Sequence, residues 1–433
     1  NWQLIGPSYV GDERHHRVIG DLTLAETAPY LRAILDTAER DMQRAFPAEP
    51  SRRRLEAWLA RERDRVEGWL GEWSEGRLAD LYRAWLGAWL GDEADRGLTS
   101  ERFALDRAAR DPVLAAFLND YDRAAALYNE AIAETGVKLN PLDTEAGELP
   151  MLAVLDHEGH LTRTGVGLEG GKLIVAGRSF ALSGGSIPAD SLAAAGIRCL
   201  AGKALVLVLQ VRCGQAGRPL ALPYRGSLYM PAARRLEAGL SAAGLLDAPL
   251  LPVLRVRFGL LDRLAELDTP LRLPAHLAET LGAEEMPARE LSTAWRPAAR
   301  RAAADLARLR TEEGRRSFQA EAFADLAGEL DQLNHRRREL AGRPGKPDPE
   351  IIRPMSHRAR RLETDLLERT LAAIDRLWQV AELDYYDSRG ALLPWAVALG
   401  GEAFYNHLIE RADVYEEQPR PPHSGPADED PLR

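Results

Sequence analysis

A chain of 433 residues, 45% hydrophobic and 28% charged, is long for one core and ordinary for a globular protein, which predicts two or three domains. Its formal net charge of -10 argues against a protein that coats nucleic acid, because that affinity rests on a basic face neutralising phosphates. No apolar run approaches the roughly 20 residues that a membrane-crossing helix needs, so no membrane partner is expected.

The first residues, Asn1 to Gly6, lack a basic segment followed by an apolar one, so no secretory signal is read and the cytoplasm is the expected compartment. Cys199 and Cys213 are too few for a disulfide framework and lack metal-type spacing, which predicts buried thiols.

Residues 1–136 read as a helical, tryptophan-rich region. Thr23-x-x-Glu26 is a capping-box pattern ahead of the apolar face Leu24, Tyr30, Leu31, Ile34 and Leu35, and Asp111-Pro112 places a cap and a helix-start proline before Val113, Leu114, Phe117 and Tyr121. Trp69 with Trp73, and Trp85 with Trp89, are four apart and share a helix face. Packing between helices is the simplest role for these rings, and an apolar ligand or partner groove is the alternative.

Residues 137–150 carry Pro, Gly and Asn without helical period and predict a boundary, after which an α/β core spans 137–294. Met151–Leu155, Leu173–Val175 and Phe180–Leu182 read as short strands joined by Gly-rich turns. Asp156-His157-Glu158-Gly159-His160 invites a metal reading, but it falls one residue short of H-E-x-x-H, and close neighbours on a hairpin alternate in direction; a polar hairpin tip is expected and no metal is assigned.

The stretch from Lys203 to Leu261 is the expected centre of the protein. KALVLVLQVRC, GRPLALPYRGS, MPAARRLEAGLSAAG and LLPVLRVRFGLL read as strand, strand, helix, strand, and such continuous branched runs fit a partly parallel sheet buried on both faces. Arg212, Arg225, Arg255 and Arg257 fall at or just beyond the ends of those runs. In open α/β sheets ligands bind beyond the carboxyl ends of the strands, where helix N-termini offer unpaired N–H groups to anions. The turn Tyr224-Arg225-Gly226-Ser227 is the sharpest signal: glycine lets a backbone approach a ligand, serine can cap the following helix, and arginine offers a fork for carboxylate or phosphate. The plain alternative is a serine-capped helix beside a surface arginine. No Walker, dinucleotide, nucleophile-elbow or kinase pattern is present, so no catalytic set and no cofactor are assigned.

Residues 295–415 read as a long helical hairpin with closing helices, and 416–433 as a disordered, Pro-rich tail. Phe323, Leu326, Leu330, Leu333 and Leu340 step by three and four with Arg337 interrupting, and Leu362, Leu366, Ile374, Leu377 and Trp378 form a second stripe after the RPGKPDPE loop. A homodimer through this hairpin is the expected macromolecular partner; Arg336, Arg338, Arg358, Arg360 and Arg361 read most simply as its solvated face, with nucleic acid or an acidic partner as the alternative.

The run PYRGSLYMPAARRLEAGLSAAGLLDAPLLPVLRVRFGLLD resembles the tyrosine-glycine turn, helix and Pro-Val-Leu strand of the cysteine-adding enzymes of bacillithiol biosynthesis. The β-rich GELPMLAVLDHEGHLTRT before it, and RARRLETDLLERTLAAIDRLWQ with its apolar closing segment, resemble that family in the same order, the last matching its terminal coiled coil. The likeness covers about residues 137–262 and 354–412. Ser227 and Leu228 stand where the family has a second glycine and an acidic residue, and its N-terminal Rossmann half has no counterpart in residues 1–136. The resemblance implies ligation of cysteine to an amino-sugar conjugate bearing carboxylates. The expected function is thus that of a cytoplasmic enzyme, or enzyme relative, binding a small anion through Tyr224, Arg225, Gly226 and Ser227 with charge from Arg212 and Arg257. A non-catalytic scaffold built on the helical hairpin is the alternative.

Overall fold

A computed structural model describes residues 17–73, 75–90, 100–214, 217–223, 229–342, 348–383 and 392–417. In chain order these form α1 (Leu24–Ala45), α2 (Glu49–Glu72), α3 (Leu78–Leu90), α4 (Leu105–Ala108), α5 (Pro112–Asn119) and α6 (Tyr121–Thr135), then β1 (Glu148–His157), β2 (His160–Glu169), β3 (Lys172–Val175) and β4 (Arg178–Ala181). There follow α7 (Ala189–Ala194), β5 (Ile197–Gly202), α8 (Ala204–Arg212), β6 (Leu220–Pro223), α9 (Met230–Ala242), β7 (Val253–Arg257), α10 (Leu260–Arg263), β8 (Pro270–Arg272), α11 (Ala275–Leu281) and β9 (Glu285–Pro287). The chain closes with α12 (Ala288–Arg308), α13 (Glu312–Ala322), α14 (Ala324–Ala341), α15 (Pro349–Ala381), α16 (Leu392–Glu410) and β10 (Asp413–Glu416).

Two compact units emerge. The first holds the described residues of Asn1–Asp41, Glu56–Arg257 and Asp413–Arg433, and the second those of Met42–Leu55 and Phe258–Ala412, so the division falls inside α1 and α2. Among the described residues no helix is long and apolar enough to cross a membrane.

In the first unit α1 starts on the capping box expected from sequence: the Thr23 amide donates to Glu26 Oε2 at 3.1 Å and the Glu26 amide to Thr23 Oγ1 at 3.2 Å. Leu22, Leu24, Leu31 and Leu35 then pack in one cluster with Val66 of α2 and Leu78 and Leu81 of α3, flanked by Trp69 and Trp73, whose rings stack with centroids 5.9 Å apart. Trp85 and Trp89 both donate their indole N–H to Glu62 Oε2, at 2.6 and 3.3 Å, and Arg65 pairs with the same carboxylate at 2.8 Å, which together let a carboxylate only 1% exposed sit among rings. The expected break at 137–150 lies within one core, because Phe117, Tyr128 and Ile132 pack in the same cluster as Leu149, Leu173, Leu200 and Leu236.

β1 to β5 form an antiparallel sheet in the order β4-β3-β2-β1-β5. The β1–β2 turn pairs His157 with His160 across Glu158 and Gly159, both at positive φ, so Asp156–His160 is a hairpin tip as expected. A second sheet, β10-β7-β6, carries the parallel pair: β6 and β7 run the same way with α9 as crossover, and β10 adds antiparallel to β7.

The run KALVLVLQVRC corrects the sequence reading, since Ala204–Arg212 is the helix α8 and not a strand. Its burial follows a helical face: Leu205, Val206, Leu209 and Gln210 are buried, whereas Leu207 is exposed. Valine's preference for strands yields here to tertiary context. The neighbouring β5 takes the place beside β1, and Gly202 lets the helix close on it, since a Cβ at that position would meet Leu207 N and Gln210 Oε1 at 2.6 Å. Asp413–Glu416 is a further correction, because the segment expected to be disordered from Glu416 onward still holds a strand residue and an ordered Glu417 before the described residues end.

In the second unit the helices after Pro287 fall into α12, α13 and α14, with Thr311 capping α13 by accepting from the Gly314 amide at 3.1 Å. α13–α14 and α15 run antiparallel, since Gln319 bonds Thr370 at 3.0 Å and Arg358 makes a two-pronged pair with Glu329 at 2.7 Å. The latter pair is surface-exposed and adds little stability. α16 kinks at Gly401, and Arg54 donates to the carbonyls of Ala398 and Leu399 at 3.0 and 2.8 Å.

Candidate functional site

The candidate site grows from β7. Its sequence VLRVR alternates, so Val253, Arg255 and Arg257 share one face and are 4%, 7% and 5% exposed, while Leu254 and Val256 lie half-buried on the other. Two arginines on the buried face of an apolar strand are a costly choice, since a guanidinium keeps its charge wherever it lies and must be met by acceptors.

Arg255 spans the sheet. Its Nη1 donates to the carbonyl of Pro223, the last residue of β6, at 3.1 Å, and its Nη2 to Glu417 Oε1 at 2.9 Å. Arg234, from the second turn of α9, reaches the same Glu417 oxygen at 2.7 Å. The Glu417 amide continues the β10 ladder by donating to Val253 O at 2.8 Å. Glu417 Oε2 is buried and has no hydrogen-bond partner among the described residues. The crossover helix, the parallel pair and the edge strand therefore converge on one carboxylate held between two guanidinium groups.

Arg212 is placed elsewhere. It ends α8, and its Nε donates to Leu251 O at 2.6 Å and its Nη1 to Glu237 Oε2 at 3.1 Å, which anchors it at the entry end of β7 while Arg257 closes the exit end. Tyr224, Arg225, Gly226 and Ser227 lie outside the described residues. Arg234 and Glu417 are the members that sequence reasoning missed. The i, i+3 spacing of Arg234 and Glu237 on α9 was legible, but nothing in the tail's composition marked Glu417 as ordered.

Both thiols are held toward the protonated form. Burial raises the Cys199 thiol and pushes Cys213 up to about 11, with the Asp111 carboxylate adding to the latter. The chain matches no protein-family model, and comparison with curated proteins and with solved structures gives no match.

Proposed function

We propose that this chain is a cytoplasmic enzyme, or enzyme relative, that binds a small anion beyond the carboxyl ends of β6 and β7. The observation that carries the reading is the pair of buried arginines, Arg255 and Arg257, on one face of β7 beside the end of a parallel partner strand. Tyr224–Ser227 follow directly from Pro223 in sequence, so Arg225, Gly226 and Ser227 are assigned to the same anion. Arg212, expected from the sequence to supply charge there, bonds Leu251 and Glu237 at the entry end of β7, away from the carboxyl ends of β6 and β7, and is assigned a structural role. The resemblance to the cysteine-adding enzymes makes cysteine transfer to a carboxylate-bearing amino-sugar conjugate the chemistry to test.

The test is a thermal-shift and titration series with malate, inorganic phosphate, phosphorylated sugars and amino-sugar malate conjugates. A ligand present at a hundred times its dissociation constant stabilises the folded state by about 2.7 kcal/mol. Arg257→Ala and Arg225→Ala should each weaken the best anion at least about tenfold, or about 1.4 kcal/mol, while remaining folded. Unchanged affinity in both variants would sink the reading.

One observation favours a second reading, self-association. Leu367, Leu371 and Trp378 on α15 are 57%, 53% and 51% exposed and recur at helical spacing on one face. A homodimer would cover them. Light scattering should then give a dimeric mass for the wild type and a monomeric one for Leu371→Glu; a monomeric wild type removes this reading.

A further inference from the structure

We infer that Glu417 is an internal competitor for the anion site, a carboxylate that occupies the arginine pair until a ligand displaces it. The inference rests on the anion-site reading and adds a mode of regulation to it. Three observations lead there. Glu417 Oε1 sits between Arg234 and Arg255 at 2.7 and 2.9 Å, the geometry that a ligand carboxylate or phosphate oxygen would take on the same two forks. Its Oε2 is buried without a hydrogen bond among the described residues, so Glu417 fills the place with only one of its two oxygens engaged. An anion that engages donors with more of its oxygens would be the better occupant.

The third observation concerns release. Glu417 follows a four-residue strand that is bonded only to β7 in its sheet, and Asp413, Val414 and Glu416 are exposed. A short edge strand with little buried side-chain area opens at low free energy, and its departure leaves the β6–α9–β7 crossover paired as before. The wild-type affinity for an anion is then lowered by the fraction of time that Glu417 holds the arginines.

Glu417→Gln keeps the size and one oxygen acceptor but removes the charge. Calorimetric titration with malate and with inorganic phosphate, on the full chain, compares wild type, Glu417→Gln, Arg257→Ala and the Glu417→Gln/Arg234→Ala double variant, the last removing one of the two guanidinium groups that hold Glu417. The expected result is at least fivefold tighter binding in Glu417→Gln, lost again in the double variant. Unchanged or weaker binding in Glu417→Gln, with wild-type binding still lost in Arg257→Ala, overturns the competitor and leaves the anion site standing. Tightening that survives in the double variant places the anion elsewhere and also overturns it. Binding of neither probe by wild type or Glu417→Gln removes both proposals. Should Glu417→Gln fail to fold, hydrogen exchange on the wild type decides: the Glu417 amide, bonded to Val253 O, should lose protection when the anion saturates, and retained protection overturns the inference.

Discussion

Arg17→Ala should destabilise the first unit by about 3–5 kcal/mol at neutral pH, the cost of removing one partner from a buried ion pair. Arg17 and Asp21 are 6% and 1% exposed, and the guanidinium pairs with the Asp21 carboxylate through Nε, with its carbonyl at 3.1 Å, and with both oxygens of Glu26 at 3.0 and 3.2 Å. Arg17 holds the Glu26 carboxyl down to about 2 from its ordinary 4.5, against burial and with help from Thr23. Burial pushes Asp21 up, but the Leu161 N–H, then Arg17 and His160, outweigh it and hold that carboxyl below its ordinary value. Both are lowered carboxylates, so their contribution is present above the unfolded value and lost as pH falls through the folded one. For Glu26 that window runs from 4.5 down to about 2. The gap between wild type and Arg17→Ala should therefore be widest at pH 7 and close on acidification through this window. Urea unfolding at stepped pH measures it. A gap of constant size down to pH 2.5 would assign the loss to the packing of Arg17 and not to its charge.

The parts of the fold legible in sequence were those written in local chemistry. Thr23 and Glu26 satisfy each other's backbone amides, and Asp111 accepts from the Val113 amide at 2.8 Å, as their spacing required. The β1–β2 turn followed from Gly159 and its polar neighbours. The boundary at 137–150 failed for a different reason. Gly239 on α9 brings its backbone against Leu127 of α6, with space for a Cβ only 2.9 Å from Leu127 Cδ2, so helices on either side of the proline-bearing stretch close over one core. Composition along the chain carries no record of such a contact.

The site was half legible. Alternation in VLRVR is enough by itself to place Arg255 and Arg257 on one face of a strand. Arg212 was misplaced because its position depended on a secondary-structure assignment: at the end of a strand it would point toward the turn, whereas at the end of α8 it is drawn to Leu251 and Glu237. Glu417 was missed because a polar, proline-rich context masks the one strand that the β7 edge recruits.

Gln210 ties the helix α8 to two neighbouring elements, and it should be the residue least tolerant of change in that apolar run. Gln210 is 1% exposed; its Oε1 accepts from the Gly202 amide at 2.6 Å and its Nε2 donates to Asp111 Oδ2 at 2.5 Å. It thereby ties the end of β5 to the cap of α5. Gln210→Ala leaves two buried groups short of a partner, at about 1–3 kcal/mol each, for a loss of about 2–6 kcal/mol. Burial already raises the Asp111 carboxyl, with the Val113 amide and then Gln210 pulling it back, so losing Gln210 raises it further. A raised carboxylate makes the folded state bind more protons, which means that the deficit should shrink as pH falls. Gln210→Glu separates charge from shape. At pH 7 it sets a second carboxylate against Asp111 and should be at least as damaging as alanine, whereas one shared proton at lower pH restores a donor between the two oxygens and should recover most of the loss. Thermal unfolding of both variants between pH 7 and pH 4.5, each referred to wild type at the same pH, makes the comparison. A Gln210→Glu protein as stable as wild type at pH 7 would mean that the packing of α8, and not the Gly202–Gln210–Asp111 chain of hydrogen bonds, holds the helix where valine alone predicts a strand.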